Sequence, residues 1–348
     1  MKTIVKNLTL IGLMFFISAG LQAEELEKKI SKEYEVSKGA MLKLANKYGK
    51  IHCENWDKNA ISIEVEIIAE HNNAKKAENI LENITVEISG SDMLVQAETK
   101  IGNMNCTNCS YDINYLVRMP KWINVDISMK YGSLVLDEVE GEAEVGIGYG
   151  DYFEINKITN DNSKVYLSYT ENSVIREAGN TKFKIQYSDN VNIEMGRNLT
   201  VVTQYSELTI GKAEYLELKS NYDDVGIGRV NDLKADLNFA DVEVEQLSGS
   251  MDCDLNYGDL EVNDIQAGFD KIKLYSNYAD AELEFDPDAG YKLQAEIKYG
   301  EIEYPDNSKV SREEVSYTET HYRGVVGDDS NPSSSVSIRA KHADVELN

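Results

Sequence analysis

The chain has 348 residues, with 61 acidic side chains against 35 basic ones and a net charge of −26 at pH 7. A surface of this charge repels nucleic acid, whose recognition requires clustered Lys and Arg, and it also repels anionic lipid. The charge suits a cation, a cationic partner or simple solubility, and solubility is the simplest of these interpretations.

The first 23 residues have the order of an export signal. Lys2 and Lys6 precede an apolar run from Leu8 to Ile17, and small residues then lead to a cleavage point after Ala23. No later run reaches the roughly twenty apolar residues that a membrane helix requires. The sequence therefore predicts a signal peptide over 1–23 and a mature chain without a transmembrane segment, in the periplasm or on the outer cell surface.

Residues 24–122 have an irregular pattern that predicts an N-terminal cap. Residues 24–38 are charged and predict a loose leader, and short alternating segments after them predict strands. One helix is predicted over about 73–84, with Asn72 or Asn73 as its cap. Its apolar residues recur at helical spacing: Ala74, Ala77, Ile80, Leu81 and Ile84.

Two of the four cysteines are close in sequence. Cys106 and Cys109 form a Cys-x-x-Cys in a polar stretch, and in an exported protein they can close a small disulfide loop. A zinc site would need a second pair nearby, and a redox site would need a helix start beside a βαβ unit. Structural disulfide or inert thiols are therefore favoured over metal, and metal over redox catalysis. Cys253 has the spacing of a small core residue.

The most informative pattern is a recurring aromatic residue, usually followed by a small residue and an acid. The steps between copies are 17 to 21 residues, and a fixed period near twenty is typical of a solenoid. The predicted fold is all-β: a parallel β-solenoid, β-helix-like or β-roll-like, with rungs of about 18 residues over 123–348. The aromatic residues are Tyr131, Tyr149, Tyr169, Tyr187, Tyr205, Tyr222, Phe239, Tyr257, Tyr278 and Tyr299.

The side-chain alternation within one copy predicts which residues face inward. Leu233, Leu237 and Phe239 share one parity, so the aromatic is expected with the core set, and a turn is expected at the small–acid dipeptide. Stacked rungs would then align the aromatics as a ladder along one edge of the core. Phe239 replaces Tyr once, which favours a packing role over a chemical one. Residues 305–334 break the period and predict a mobile insertion, and the segment 336–347 is expected to be the final rung.

The acids that follow the aromatics would form a column at the same spacing. Repulsion between two such charges about 5 Å apart is only about 0.8 kcal/mol in water, so a solvated column is tolerable. Asp at a turn can also accept backbone N–H groups. A row of weak calcium sites is the alternative, and its candidates are Asp189, Asp224, Asp241, Asp259 and Asp280.

No catalytic pattern is present in the sequence. The four histidines have no metal-like spacing, and neither a nucleophile elbow nor a phosphate loop occurs. The prediction is that the protein is not an enzyme and needs no cofactor, with calcium as the one alternative.

Two stretches resemble a known family. The first joins Asn46–Ile51, Glu54–Asn59 and the alternating segment Ile61–Ile67, and the second is the array that begins with Lys130–Leu134. Together they resemble an adhesin-like family of unknown function, which consists of exported β-solenoid proteins of Gram-negative bacteria. The resemblance implies a parallel β-solenoid in the periplasm or on the outer surface, and it implies no catalytic residues.

The function predicted from the sequence is that of a non-enzymatic envelope protein. It would be an adhesin, or a binding or structural solenoid that uses a lateral sheet face, with an envelope protein or a glycan as its partner. The alternatives are a polysaccharide-acting β-helix enzyme and a calcium-stiffened structural spacer.

Overall fold

The computed structural model describes residues 24–104 and 109–348. They divide into two compact units, one ending at Ser163 and the other covering Lys164–Asn348. The predicted signal peptide lies outside the described residues, as does Cys106. Both units consist almost wholly of strands, which confirms the all-β solenoid.

The first unit contains eight strands and one helix. They are β1 (Glu24–Glu35), β2 (Met41–Asn55), β3 (Ala60–His71), α1 (Ala74–Asn83), β4 (Ile84–Gly90), β5 (Leu94–Ile101), β6 (Ser110–Met119), β7 (Asn124–Val139) and β8 (Ala143–Ile158).

The long strand β2 is the centre of this unit. On one side it pairs in parallel with β7, which pairs in parallel with β8. On the other side β5 pairs with its first half and β6 with its second half. Strands β6, β3 and β1 then continue as an antiparallel sheet. The prediction of a loose leader over 24–38 is wrong, because the alternating residues of β1 pair with β3 along its whole length.

The predicted helix is present as α1. Asn73 is its N-cap and accepts the N–H of Lys76 through its side chain at 3.3 Å. Ala77, Ile80 and Leu81 are its buried residues. The helix covers part of the cap strands with the apolar stripe that its spacing predicted.

The second unit is a stack of bent strands. They are β9 (Ser163–Thr170), β10 (Ser173–Gln186), β11 (Val191–Gln204), β12 (Glu207–Asn221), β13 (Asp224–Asn238), β14 (Asp241–Asn256), β15 (Leu260–Ile265), β16 (Lys271–Asn277), β17 (Ala281–Phe285), β18 (Tyr291–Lys298), β19 (Ile302–Glu303), β20 (Lys309–Ser316), β21 (Glu319–Val326), β22 (Ser334–Lys341) and β23 (Val345–Leu347).

Successive rungs pair in parallel, so equivalent residues are aligned from rung to rung. Strands β10 to β14 follow one another in chain order, and β14 pairs with both β15 and β16. Leu216 lies beside Leu233, which lies beside Met251, and all three are buried. Apolar columns of this kind form the core, because each rung buries its inward side chains against those of its neighbours.

The end of the second unit departs from chain order. Strand β22 lies between β16 and β18, so the segment 336–347 is the second-to-last rung, and the prediction that it forms the final one is wrong. The pattern of Val336, Ile338 and Ala340 identifies a rung. Its place in the stack depends instead on which strand edges remain free to pair.

The insertion over 305–334 contains a β-hairpin. Strands β20 and β21 pair antiparallel with each other, and β21 pairs antiparallel with β18. Residues 309–326 of the predicted insertion thus form regular strands, while its mobility stays a prediction. The hairpin supplies hydrogen bonds to the outer edge of β18, which would otherwise present unpaired backbone groups.

Candidate functional site

The aromatic residues of the repeat share an unusual backbone conformation. In the second unit nine such positions, including His342, have φ between 50° and 59°. This left-handed region costs a residue with a side chain about 1–2 kcal/mol, and for a bulky residue it is an outlier. The conformation turns the chain sharply at the corner between two strand segments.

The left-handed turn decides which residue faces outward. Leu237 is buried, Phe239 is exposed and Ala240 is buried again. The alternation had predicted Phe239 with the core set, and that prediction is wrong. Because the positive φ inverts the side-chain direction at the aromatic itself, the ring turns outward and the following small residue occupies the interior. The inversion is thus one residue earlier than the predicted turn.

The outward rings of the second unit form a continuous stack, here called the second column. Consecutive ring centroids are 4.5–5.4 Å apart, with angles of 4–14° between the planes. This spacing follows the interstrand distance of a sheet. All members except His342 are 43–52% exposed. In spatial order the column contains Tyr169, Tyr187, Tyr205, Tyr222, Phe239, Tyr257, Tyr278, His342 and Tyr299.

The first unit has a shorter column of the same kind. Tyr48, Tyr131 and Tyr149 stack at 5.0 and 5.2 Å, each with a positive φ. Tyr111 packs edge-on against Tyr48 at 5.3 Å and 73°. Tyr48 was not predicted as a ladder member, although Tyr48-Gly49 has the same aromatic–glycine pattern as Tyr131-Gly132.

Inside the corners of the second unit, polar side chains join one rung to the next. The backbone N–H of Ser188 donates to Oγ of Ser206 at 3.1 Å, and the N–H of Ser206 donates to Oδ1 of Asp223 at 2.8 Å. Asp223 also accepts from Oγ of Ser220 and from the N–H of Asn221, both at 2.7 Å. Burial nevertheless raises the pKa of this carboxyl above its usual value, since desolvation outweighs the hydrogen bonds. These bonds satisfy backbone donors that the left-handed turn leaves unpaired.

The acids that follow the aromatics are exposed beside the second column. Oδ1 of Asp241 accepts the N–H of Asp259 at 3.1 Å, and Oδ1 of Asp280 accepts that of Asp344 at 2.8 Å. No group of three or more His, Cys, Asp or Glu side chains among the described residues is arranged to hold a metal ion. The other calcium candidates, Asp189 and Asp224, are likewise exposed turn residues, and calcium binding stays a prediction.

The cysteines have different environments. Cys109 is disulfide-bonded, while its predicted partner, Cys106, lies outside the described residues. Cys53 and Cys253 are free and buried, and burial raises the pKa of both thiols. A thiol of this kind is unreactive, because the thiolate is the nucleophile and the metal ligand.

Comparisons with known proteins were made once this geometry was established. No curated protein matches the chain at a significant level. Several solved structures are similar to this chain. One is a candidate cell adhesion protein from Clostridium sporogenes, with 14% identity, 92% of this chain and 99% of that one covered, and a TM-score of 0.18. Two others are from Parabacteroides distasonis: a candidate adhesin (11% identity, 92% and 97% covered, TM-score 0.30) and a candidate lipid-binding protein (13% identity, 92% and 96% covered, TM-score 0.23).

A family model also matches this sequence. It is described as Toastrack DUF4097 and matches residues 138–348, which is more than half of the chain. The match confirms the resemblance to an adhesin-like family that the repeated motifs indicated. The chain belongs to the Toastrack DUF4097 family.

Proposed function

We propose that this is a non-enzymatic binding protein of the cell envelope whose contact surface is the exposed side of its aromatic columns. The observation that carries the proposal is the second column, a row of aligned rings that stay about half exposed. Large contiguous aromatic surface is uncommon on a protein that contacts nothing, and it is typical of interaction sites.

The energetics favour a role beyond structural support. Each left-handed aromatic costs about 1–2 kcal/mol, and each stacked ring pair returns about 0.5–1.5 kcal/mol. The two terms nearly cancel, so stacking gives little net stability. Gly or Asn would adopt the same corner at lower cost. Yet Tyr occupies almost every corner of the second unit, and selection for contact with a partner explains that preference.

Two observations support export. Residues 1–23 have the order of a secretory signal, and Cys109 is disulfide-bonded. Disulfides persist in oxidising compartments such as the periplasm and the cell surface. In the described ranges, 24–104 and 109–348, no helix is long and apolar enough to cross a membrane.

The negative charge of the chain limits the classes of partner that it can bind. The chain carries −26, and exposed acids such as Asp241 and Asp259 flank the rings of the second column. Anionic polymers and anionic lipid surfaces are repelled by such a field. A neutral or cationic partner remains, which is an envelope protein or a glycan.

The test is adhesion of beads coated with the purified protein to bacterial and host cell surfaces. The variant replaces Tyr187, Tyr205 and Tyr222 by Asn, which tolerates the left-handed conformation and removes three adjacent rings. Its control replaces Tyr166 and Tyr275, exposed tyrosines outside the column, by Thr.

We expect the wild type and the control to adhere and the triple Asn variant to lose most of its adhesion. Its thermal unfolding should stay as cooperative as that of the wild type, which would show that the variant is folded. Full adhesion by a folded triple variant would show that the contact surface does not include these three rings. A wild type that adheres to no surface would overturn the proposal.

A further inference from the structure

The second column ends beside a groove. Tyr299 is its last ring, at the end of β18, and the β20–β21 hairpin forms the opposite wall. The groove has a volume of about 750 Å3, within the usual range of about 300–1,000 Å3 for sites that bind small ligands. Tyr304, Tyr317 and Tyr322 also line it, together with Arg312 and two glutamates.

Ring geometry separates Tyr299 from the other members of the column. Tyr187 and the other interior rings have a neighbouring ring on each face, so they offer a partner only their edges and hydroxyls. Tyr299 stacks on His342 at 4.5 Å and 5°, and within the described part of the chain no second ring stacks on it. Its exposure, 52%, is the highest in the column.

The hairpin leaves room at this place instead of continuing the stack. The N–H of Tyr299 donates to the carbonyl oxygen of Thr318 at 3.0 Å, so the backbone pairing of the rung continues into the hairpin turn. The aromatic residue of that turn, Tyr317, is fully exposed and does not stack on Tyr299. The next ring position of the column is therefore open to the groove.

We propose that this groove binds a sugar ring of a neutral or amino-bearing glycan, with the C–H face of the sugar stacked on Tyr299. The inference rests on the proposed binding function and adds a ligand class and a second binding site at one end of the contact surface. A sugar ring is apolar on its C–H face and polar at its rim, which matches an aromatic face surrounded by hydrogen-bonding side chains. Glu301 and Glu303 supply acceptors, while Arg312 and Thr320 supply donors.

The charges of the groove set its selectivity. Glu301 and Glu303 face one arginine, and Arg312 is already paired with Glu314 at 3.2 Å. Asp344 adds a further carboxylate, since its Oδ1 accepts the N–H of Glu301 at 2.8 Å. Uronic or sialic acids would be repelled, whereas amino groups would be attracted. An acyl chain is a poor ligand, because the polar groups of the lining would lose water without gaining partners.

The experiment is titration calorimetry of the purified full-length mature chain with trisaccharides of glucosamine, glucose and galacturonic acid. We expect glucosamine to bind most tightly, glucose more weakly and galacturonic acid not at all. Tyr299→Asn should weaken binding at least tenfold, because the ring face is lost while the backbone conformation is tolerated. Tyr299→Phe should bind like the wild type.

The matched control is Tyr275→Thr. Tyr275 has similar exposure, 44%, but it lies on β16 outside both the column and the groove, so its loss should leave glycan affinity within twofold of the wild type. Tyr317→Ser provides a second site variant at a fully exposed residue, so its loss should leave folding unchanged. It should weaken binding several-fold.

The outcomes separate the inference from the proposed function. Absence of glucosamine binding, equal loss in Tyr275→Thr and Tyr299→Asn, or tightest binding of the galacturonic acid trisaccharide would overturn the glycan site. If adhesion to cells still depends on Tyr187, Tyr205 and Tyr222 in that case, the proposed function stands without the glycan site. Loss of both activities in the wild type would refute both.

Discussion

The two aromatic columns end differently. In the first unit the outer ring, Tyr48, is covered edge-on by Tyr111. In the second unit the outer ring, Tyr299, borders an open groove. The corner conformation is the same in both columns, so the difference comes from the chain segments at each end. Tyr111 lies on β6, a strand of the cap, whereas the hairpin turn at Thr318 carries no ring over Tyr299.

Buried tyrosines repeat the contrast. Tyr115 of the first unit shares a hydrogen bond of 2.8 Å with Thr99, which donates to Asn46 at 2.8 Å. Tyr291 of the second unit is equally buried, but its hydroxyl has no partner. Burial raises the pKa of Tyr115 to about 12 and raises that of Tyr291 as well. The buried tyrosine of the first unit is thus paired by its neighbours, while the one near the end of the second unit keeps an unpaired hydroxyl.

The largest expected effect tests the buried network of the first unit. Asn46→Ala removes the amide that donates to the carbonyl of Ile113 at 2.8 Å and accepts from Thr99. The buried carbonyl of Ile113 and the buried hydroxyl of Thr99 each lose a partner, so the free energy of unfolding should fall by about 3 kcal/mol in urea titrations. Asn124→Ala, at an exposed amide with two bonds, is the control and should cost less than about 1 kcal/mol. Similar losses in both variants would contradict the network.

The second prediction tests the column itself. Tyr205→Ala removes two ring contacts and keeps the left-handed strain, so the free energy of unfolding should fall by about 1–3 kcal/mol. Tyr205→Gly also loses the contacts but relieves the strain, and its loss should be smaller. Tyr205→Phe should be as stable as the wild type, because Phe239 already occupies the equivalent corner of its own rung. A glycine variant less stable than the alanine variant would argue against the strain.

The third prediction compares the two buried tyrosines. Tyr291→Phe removes an unpaired hydroxyl and should raise the free energy of unfolding by about 1 kcal/mol. Tyr115→Phe removes a paired hydroxyl and should lower it by a similar amount. The melting temperatures of the two variants should therefore shift in opposite directions. A shift in the same direction would contradict the difference between the paired and the unpaired hydroxyl.

The smallest effect concerns Asp223, whose carboxyl occupies the corner position that Ser188 and Ser206 fill in preceding rungs. Because its folded pKa is raised, its contribution to stability is present below the unfolded value of 3.8 and is lost as pH rises through the folded value. Asp223→Ser should gain stability relative to the wild type between pH 3 and pH 7. Asp224→Ser removes a charge from the exposed neighbour and controls for net charge. If the stability of Asp223→Ser relative to the wild type fell with rising pH, the pKa of Asp223 would be lowered by folding, which would contradict this prediction.

Much of this fold could be predicted from the sequence because rung structure is local. The alternation of Leu233, Ala235 and Leu237 and the spacing of the aromatics identify strands and corners, and the pattern from Ala74 to Ile84 identifies the helix. The alternation failed at Phe239, since a change in the sign of φ leaves no mark in the order of apolar and polar residues. The small residue after most of the aromatics was the available signal, because a small side chain is required at that position only if it lies inside the corner.

The sequence by itself determined the repeat, the strand character and the aromatic at each corner, since these depend on neighbouring residues and on the alternation of side chains along a strand. Only the tertiary structure decided that the rings lie outside, that β22 inserts before β18, and that Tyr299 keeps an open face. These features depend on which distant strand edges pair and on how each corner is packed against the next rung. Such pairings are chosen by the whole chain, and a local pattern does not encode them.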